Sequence, residues 1–247
     1  MKMVQNLGAS LILIFLTCGC AGPNSMGTPT PADTAGSYST KFSATENPIS
    51  ESAKWVNGEV LGLDWANVYT TPGRALGNQT GPNYSDATAV LQNMKWAADQ
   101  KATAVVSTSG VPLDNCYQEV ELRLRSVVSP HSITGYEINY KFSNSSTAYM
   151  QIVRWNGGFG DFTTLHSYNG PEFGVVNGDI VSATVVGNVI TAFKNGVQQG
   201  QVTDDTFSTG SPGIGFNLTN DNDGCPGTNG TYGFSSFTAL DSTHASF

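Results

Sequence analysis

The chain has 247 residues with 19 acids against 11 bases, a formal net charge of -8, and 12% charged residues beside 28 Gly and 11 Pro. An acidic surface without a basic stripe repels phosphates, which excludes a nucleic-acid partner and an anionic-membrane surface binder. The length fits one large β-domain better than two small ones.

The first twenty residues, MKMVQNLGASLILIFLTCGC, read as an export signal. Lys2 supplies the positive start, and Leu7 to Thr17 is an apolar run too short to span a bilayer comfortably. Two processing readings stay open. Either Cys20, preceded by the small Gly19, is the lipid-modified first residue of a lipoprotein, or an ordinary signal peptidase cuts after Ala21. Thr17 stands where the usual lipobox has Leu. In both cases the chain leaves the cytoplasm, either tethered at the cell surface or secreted, and membrane contact is expected only through that anchor. Residues 21–38 are rich in Pro, Gly, Ser and Thr and read as an extended linker, so the folded domain is expected over 39–247. After cleavage Cys116 and Cys225 remain, an even pair in an oxidising compartment. They are expected to form one disulfide, stabilising by roughly 4 kcal/mol in the chain-entropy account.

The body alternates with a period near 2. In Gln118 to Arg125, Val120, Leu122 and Leu124 share one face, and Glu119, Glu121, Arg123 and Arg125 the other. Tyr136 to Lys141 and Tyr149 to Trp155 alternate again, with Trp155 on the side of Gln151 and Val153 and Arg154 opposite. Residues 180–185, 189–193, 211–218 and 232–239 read as further strands. Lys194-Asn195-Gly196-Val197 marks a tight type I′ hairpin. Ala87 to Ala98 comes nearest to helical spacing but reads as a short strand and turn. About ten to fourteen strands with polar turns predict an all-β fold, a single antiparallel β-sandwich of jelly-roll type.

Glu119 and Glu121 project from one sheet face, and paired carboxylates serve as acid and nucleophile in glycosidic cleavage. Arg123 beside them is expected to hold Glu121 ionised, which suits salt-bridging more than proton donation. The same strand face therefore has three readings: an ion-paired surface, a sugar-binding surface, or a catalytic one. Sugar rings stack on aromatic faces, so Trp155 and Tyr168, with Glu119, Arg123 and Arg154 as polar partners, are the candidate ligand-binding residues. Asn220-Asp221-Asn222-Asp223-Gly224 offers closely spaced oxygens, making Asp221 and Asp223 weak candidates for Ca²⁺, although a solvated acidic turn explains them better, since the EF-hand order and its closing Glu are lacking. Asp204-Asp205 also reads as a solvated turn. His131, His166 and His244 are widely spaced with no zinc motif, and no cofactor other than Ca²⁺ is suggested.

The order of these segments resembles the concanavalin A-like lectin/glucanase superfamily in its bacterial laminin-G-like form. The likeness is carried by Asp99 to Ala104, Glu119 to Arg123, Gly135 to Ile138, Gln151 to Gly157, Gly178 to Ile180, Lys194 to Gly196, Gly213 to Phe216 and Phe234 to Phe237. It covers roughly 39–247 and implies the jelly-roll fold. It leaves function open among lectins, hydrolases, lyases and adhesive modules. Hydrolases of this fold that resemble laminarinases carry Glu-x-Asp-x-Glu or Glu-x-Asp-x-x-Glu on the concave sheet. Glu119 would match the first acid and Glu121 the middle one, whereas Arg123 or Leu124 replaces the third. The reading that follows is an exported, monomeric module that binds glycan without cutting it. A hydrolase or lyase using Glu119 and Glu121 is the alternative, and an adhesive envelope protein is the third.

Overall fold

The computed structural model describes residues 36–59, 62, 64–79, 84–110, 116–218, 229–244 and 247. The signal and Cys20, Asp221, Asp223 and Cys225 lie outside the described residues, and the expected disulfide is therefore not tested. Fifteen strands follow one another. They are β1 (Ser37–Thr40), β2 (Trp55–Asn57), β3 (Asn67–Thr71), β4 (Arg74–Asn78) and β5 (Ala87–Leu91), then β6 (Gln100–Thr108), β7 (Gln118–Ser129), β8 (Ser132–Lys141), β9 (Tyr149–Gly157) and β10 (Phe162–Asn169). The series closes with β11 (Ile180–Val186), β12 (Val189–Lys194), β13 (Val197–Thr203), β14 (Ser211–Leu218) and β15 (Tyr232–Asp241). Because β1 pairs with β15 from Ser37 onward, the ordered domain includes two residues assigned above to the linker.

All ladders named here are antiparallel. One sheet runs β13-β12-β11-β6-β15-β4-β3, with β1 added on β15; the other runs β10-β9-β8-β7-β14-β5-β2. Sandwiches bury the inward side of each pleat. Val120, Leu122 and Leu124 of β7, Ile138 and Tyr140 of β8, Met150 and Ile152 of β9 and Phe216 of β14 therefore meet Ala104, Val181, Ala183, Phe234 and Phe237 in one apolar layer. The Tyr140 hydroxyl crosses that layer to the Phe193 carbonyl at 2.9 Å, which satisfies its only buried polar atom. The β12–β13 hairpin turns through Asn195 (φ 52°) and Gly196 (φ 79°), as a type I′ turn requires.

The alternation of β7 breaks at one residue. Its register against β8 shifts between Leu124 and Val127, and Arg125 adopts a φ of 49°. This bulge turns Arg125 away from the face of Glu119, Glu121 and Arg123, contrary to the sequence pattern. Its guanidinium instead donates to the carbonyls of Ala98 (2.7 Å), Phe207 (2.8 Å) and Gly187 (2.8 Å), and its N–H donates to Gln100 Oε1 of the opposite sheet (2.8 Å). Arg125 thus clamps one end of the sandwich.

Candidate functional site

The outward side of the seven-stranded sheet is unusually polar and unusually buried. The register sets three adjacent rows across it: Asn217–Glu119–Lys141, Gly215–Glu121–Asn139–Gln151 and Gly213–Arg123–Glu137–Val153. Period-2 geometry puts every one of these side chains opposite the apolar core. Glu119, Glu121, Arg123, Glu137, Asn139 and Lys141 are nonetheless all buried. At the Trp155 end of this face Trp65 packs edge-on against Trp155 with centroids 5.5 Å apart, and Phe162 lies 5.3 Å from the same indole. The segment entering β5 brings in Asp86, held by Ala66 N–H to the Ser85 carbonyl (3.2 Å) and Thr88 N–H to the Ala66 carbonyl (3.0 Å).

A cavity of about 410 Å³ opens over these rows. That volume lies in the range of small-molecule sites, ~300–1,000 Å³. Its mouth carries the exposed rings of Tyr84 and Tyr117, 47% and 59% accessible. Trp155, Phe162, Tyr149 and Val153 form walls, while Asp86, Glu119, Glu137, Asn139, Gln151 and Asn217 supply the polar surface.

Below the cavity lies an ion cluster. Arg123 reaches Glu121 at 2.5 Å, Glu137 at 3.0 Å and Asp86 at 4.0 Å. Glu137 also accepts from Trp155 Nε1 (2.6 Å) and Asn139 Nδ2 (3.0 Å), so both its oxygens are engaged. β14 makes room for this cluster. A Cβ at Gly215 would stand 2.1 Å from Glu121 Oε2 and 2.9 Å from Arg123 Nη2, so any larger residue would expel the ion pair. Ligand oxygens of Asp86, Glu121 and Glu137 lie within 4.8 Å of one another, a spacing that suits a metal ion. The guanidinium of Arg123 already serves these three carboxylates as their cation.

Three carboxylates with one guanidinium leave an excess of negative charge in a desolvated place. Burial, then the neighbouring Glu137, push Asp86 and Glu121 well above the usual carboxylate range, outweighing Arg123. Arg123 is paired with Glu121 as expected, but its pull is shared among three acids and is outweighed by desolvation and acid–acid repulsion in setting the direction of that shift. Glu119 is raised to about 7, by burial first and by Glu137, against hydrogen bonds from the Tyr149 hydroxyl and from Asn217 Nδ2 (3.0 Å).

The structure separates the residues grouped by sequence. Glu119 and Trp155 line the cavity. Trp155 is only 3% accessible and its N–H is engaged by Glu137, so it is a wall and not an open stacking platform. Arg123 and Glu121 lie beneath the floor. Arg154 faces the other side of β9 and pairs with Asp204 at 2.5 Å and Thr206 Oγ1 at 2.8 Å. Asp204 is accordingly no solvated turn; it also accepts from the Tyr136 hydroxyl at 2.7 Å. Tyr168 sits with Arg154's face, where its hydroxyl donates to the Gln201 carbonyl and accepts from the Gln201 N–H, both at 3.0 Å, tying β10 to β13. Sequence reasoning missed Asp86, Glu137, Asn139, Asn217 and Tyr84. For Glu137 and Asn139 the signal was present in the polar face of Tyr136 to Lys141. For Asp86 and Tyr84, in a loop, there was none.

The sequence matches no family model and no curated protein. Solved structures do match. The domain is similar to the carbohydrate recognition domain of Emp46p in its potassium-bound form, with a TM-score of 0.53 and 13% identity over 81% of this chain and 94% of that one. It is similar to the carbohydrate binding module CBM66 from Bacillus subtilis, with a TM-score of 0.50 and 12% identity over 78% and 96%. It is also similar to a prokaryotic β-1,3-1,4-glucanase (lichenase) derived from a mouse hindgut metagenome, with a TM-score of 0.50 and 13% identity over 83% and 99%. The chain has the concanavalin A-like jelly-roll fold.

Proposed function

We propose that the domain binds carbohydrate in the cavity of its seven-stranded sheet and does not cleave it. One observation carries this reading: an open cavity with exposed tyrosines at its mouth and a polar floor built by three adjacent strands. A face filled by packed side chains would have favoured an adhesive module. Binding modules, lectins and glucanases of the same fold are compatible with a glycan ligand. Double displacement at a glycosidic bond needs an acid and, across the bond, an ionised carboxylate with a free lone pair. Glu119, titrating near 7, could serve as the acid. No such partner stands free: Glu137 is pinned by the Arg123 guanidinium, the Trp155 N–H and the Asn139 amide, Asp86 is shifted towards its neutral form, and Glu121 lies beneath the floor. The elevated Glu119 is the one feature that favours the hydrolase alternative.

A glycan array probed with the purified protein, followed by calorimetry on its best ligand, tests the reading. Replacing Tyr84 and Tyr117 together by Ala is expected to weaken binding by about tenfold or more with little change in melting temperature. Retention of full affinity in that double variant would move the site elsewhere. Release of reducing ends from any bound glycan, abolished by Glu119→Gln, would replace the binding reading with the hydrolase. The same proposal places the domain outside the cytoplasm, anchored through Cys20 or secreted, with Cys116 joined to Cys225. The intact mass of envelope-extracted protein reads both features, as added acyl chains and as two missing hydrogens.

A further inference from the structure

The cavity is charged on one side only. Asp86, Glu119 and Glu137 line it, and none of the residues lining it is a lysine, arginine or histidine. Arg123, the nearest guanidinium, is 1% accessible and divided among Asp86 and Glu137 of the lining and Glu121 beneath it, and Lys141, buried beside Glu119, lies over the Tyr149 ring outside the lining. A uronate or a sulfated sugar would enter against this field.

The polar floor is also short of donors. Asn139 is 4% accessible and gives Nδ2 to Glu137; because a carboxylate accepts and does not donate, that bond fixes the amide orientation and turns Oδ1 into an acceptor. Asn139 Oδ1 and Asp86 Oδ1 are both buried without a hydrogen-bond partner on the cavity's lining residues. Two orphaned acceptors in a lining with three carboxyl groups and no base call for a ligand group with several N–H donors and a positive charge. Aromatic walls add to this, since the faces of Tyr84, Tyr117, Trp155 and Phe162 attract a cation through their quadrupoles.

We propose that the cavity selects a sugar bearing a protonated primary amine, a 2-amino-2-deoxyhexose unit, over its N-acetylated and hydroxyl counterparts. The inference rests on the cavity being a glycan site. An ammonium offers three donors to a lining that holds three acids and no base, and its charge favours the ionised forms of acids that burial and mutual repulsion otherwise push upward. An acetamido group offers a single N–H and brings a carbonyl oxygen toward the acids. A hydroxyl offers one donor and no charge.

The test is calorimetric titration of the purified protein at pH 6, with chelator present, using three trisaccharides: β-1,4-linked glucosamine, N-acetylglucosamine and glucose. The amine form is expected to bind about tenfold or more tightly than either neutral form, as a charge-assisted hydrogen bond is stronger than a neutral one. Asp86→Asn is expected to collapse that ratio toward one. Equal or tighter binding of a neutral trisaccharide overturns the amine preference while leaving the glycan reading in place. Failure of all three, with no ligand on the array, overturns both. Ethylamine serves as a second source of the same ammonium; displacement of the trisaccharide by ethylamine at equal affinity would make this an ammonium site and sink the sugar assignment. A preference that appears only when a divalent cation replaces the chelator would also overturn it. The ratio for the unsubstituted protein decides the matter even if Asp86→Asn fails to fold.

Discussion

Arg123→Met is expected to destabilise the domain by about 3–5 kcal/mol in urea unfolding at pH 8, the range for removing one partner of a buried ion cluster. Methionine matches the length of the aliphatic stem, so little packing is lost. What remains is Asp86, Glu121 and Glu137 with no cation among them. The loss should be smaller at pH 5. There the freed acids, two of them already shifted upward, take up protons and shed their repulsion. A loss below about 1 kcal/mol at pH 8 would show that the cluster is neutralised by something other than this guanidinium.

The second large effect is the dependence of stability on pH. Glu119 titrates at about 7 in the folded chain against 4.5 ordinarily. A carboxyl raised by folding favours the folded state fully below its unfolded pKa, and that contribution is lost as pH rises through the folded one. Asp86 and Glu121 act in the same direction. The melting temperature should therefore fall between pH 5 and pH 8. Glu119→Gln should remove a share of the order of 3 kcal/mol, and should stabilise the protein at pH 8. Two acids work the other way at the acid end. Burial opposes the ionised forms of Asp204 and Asp241, but hydrogen bonds outweigh it, from Thr206 and Tyr136 to the first and from Ala97 and Thr243 to the second. Both are held below the usual carboxylate range, so stability also declines in strong acid and passes through an optimum on the acid side of neutrality. A melting temperature that rises from pH 5 to pH 8 in the parent, or one that falls as steeply in Glu119→Gln as in the parent, would contradict the burial assigned to this carboxyl.

The sandwich was legible because its cause is local. Val120, Leu122 and Leu124 alternate with charged residues, and a strand is the one conformation that sorts them onto separate faces. The hairpin at Asn195-Gly196 was legible for an equally local reason. The fate of Arg125 was not, because a bulge is set by what the opposite sheet offers, here Gln100 and three carbonyls. The site was half legible. Alternation placed Glu119, Glu121 and Arg123 together on the correct face, but only Trp65, between β2 and β3, and Tyr84 and Asp86, between β4 and β5, turn that face into a cavity and bury it. Burial, in turn, pushes the Glu121 carboxyl upward against the pull of Arg123, an effect that a strand read alone does not contain. Arg154 and Tyr168 were grouped with Trp155 because charge and aromaticity were weighed without the neighbouring strand, whose register assigns them to the core side.

The two sides of β7 answer to different partners. Val120, Leu122 and Leu124 meet the other sheet, and Glu119, Glu121 and Arg123 meet the loops and the polar faces of β8, β9 and β14. Recognition and architecture are thus written in alternate letters of one word, and either set can be rewritten while the other is kept. Chains that share about one residue in eight can accordingly have the same jelly roll.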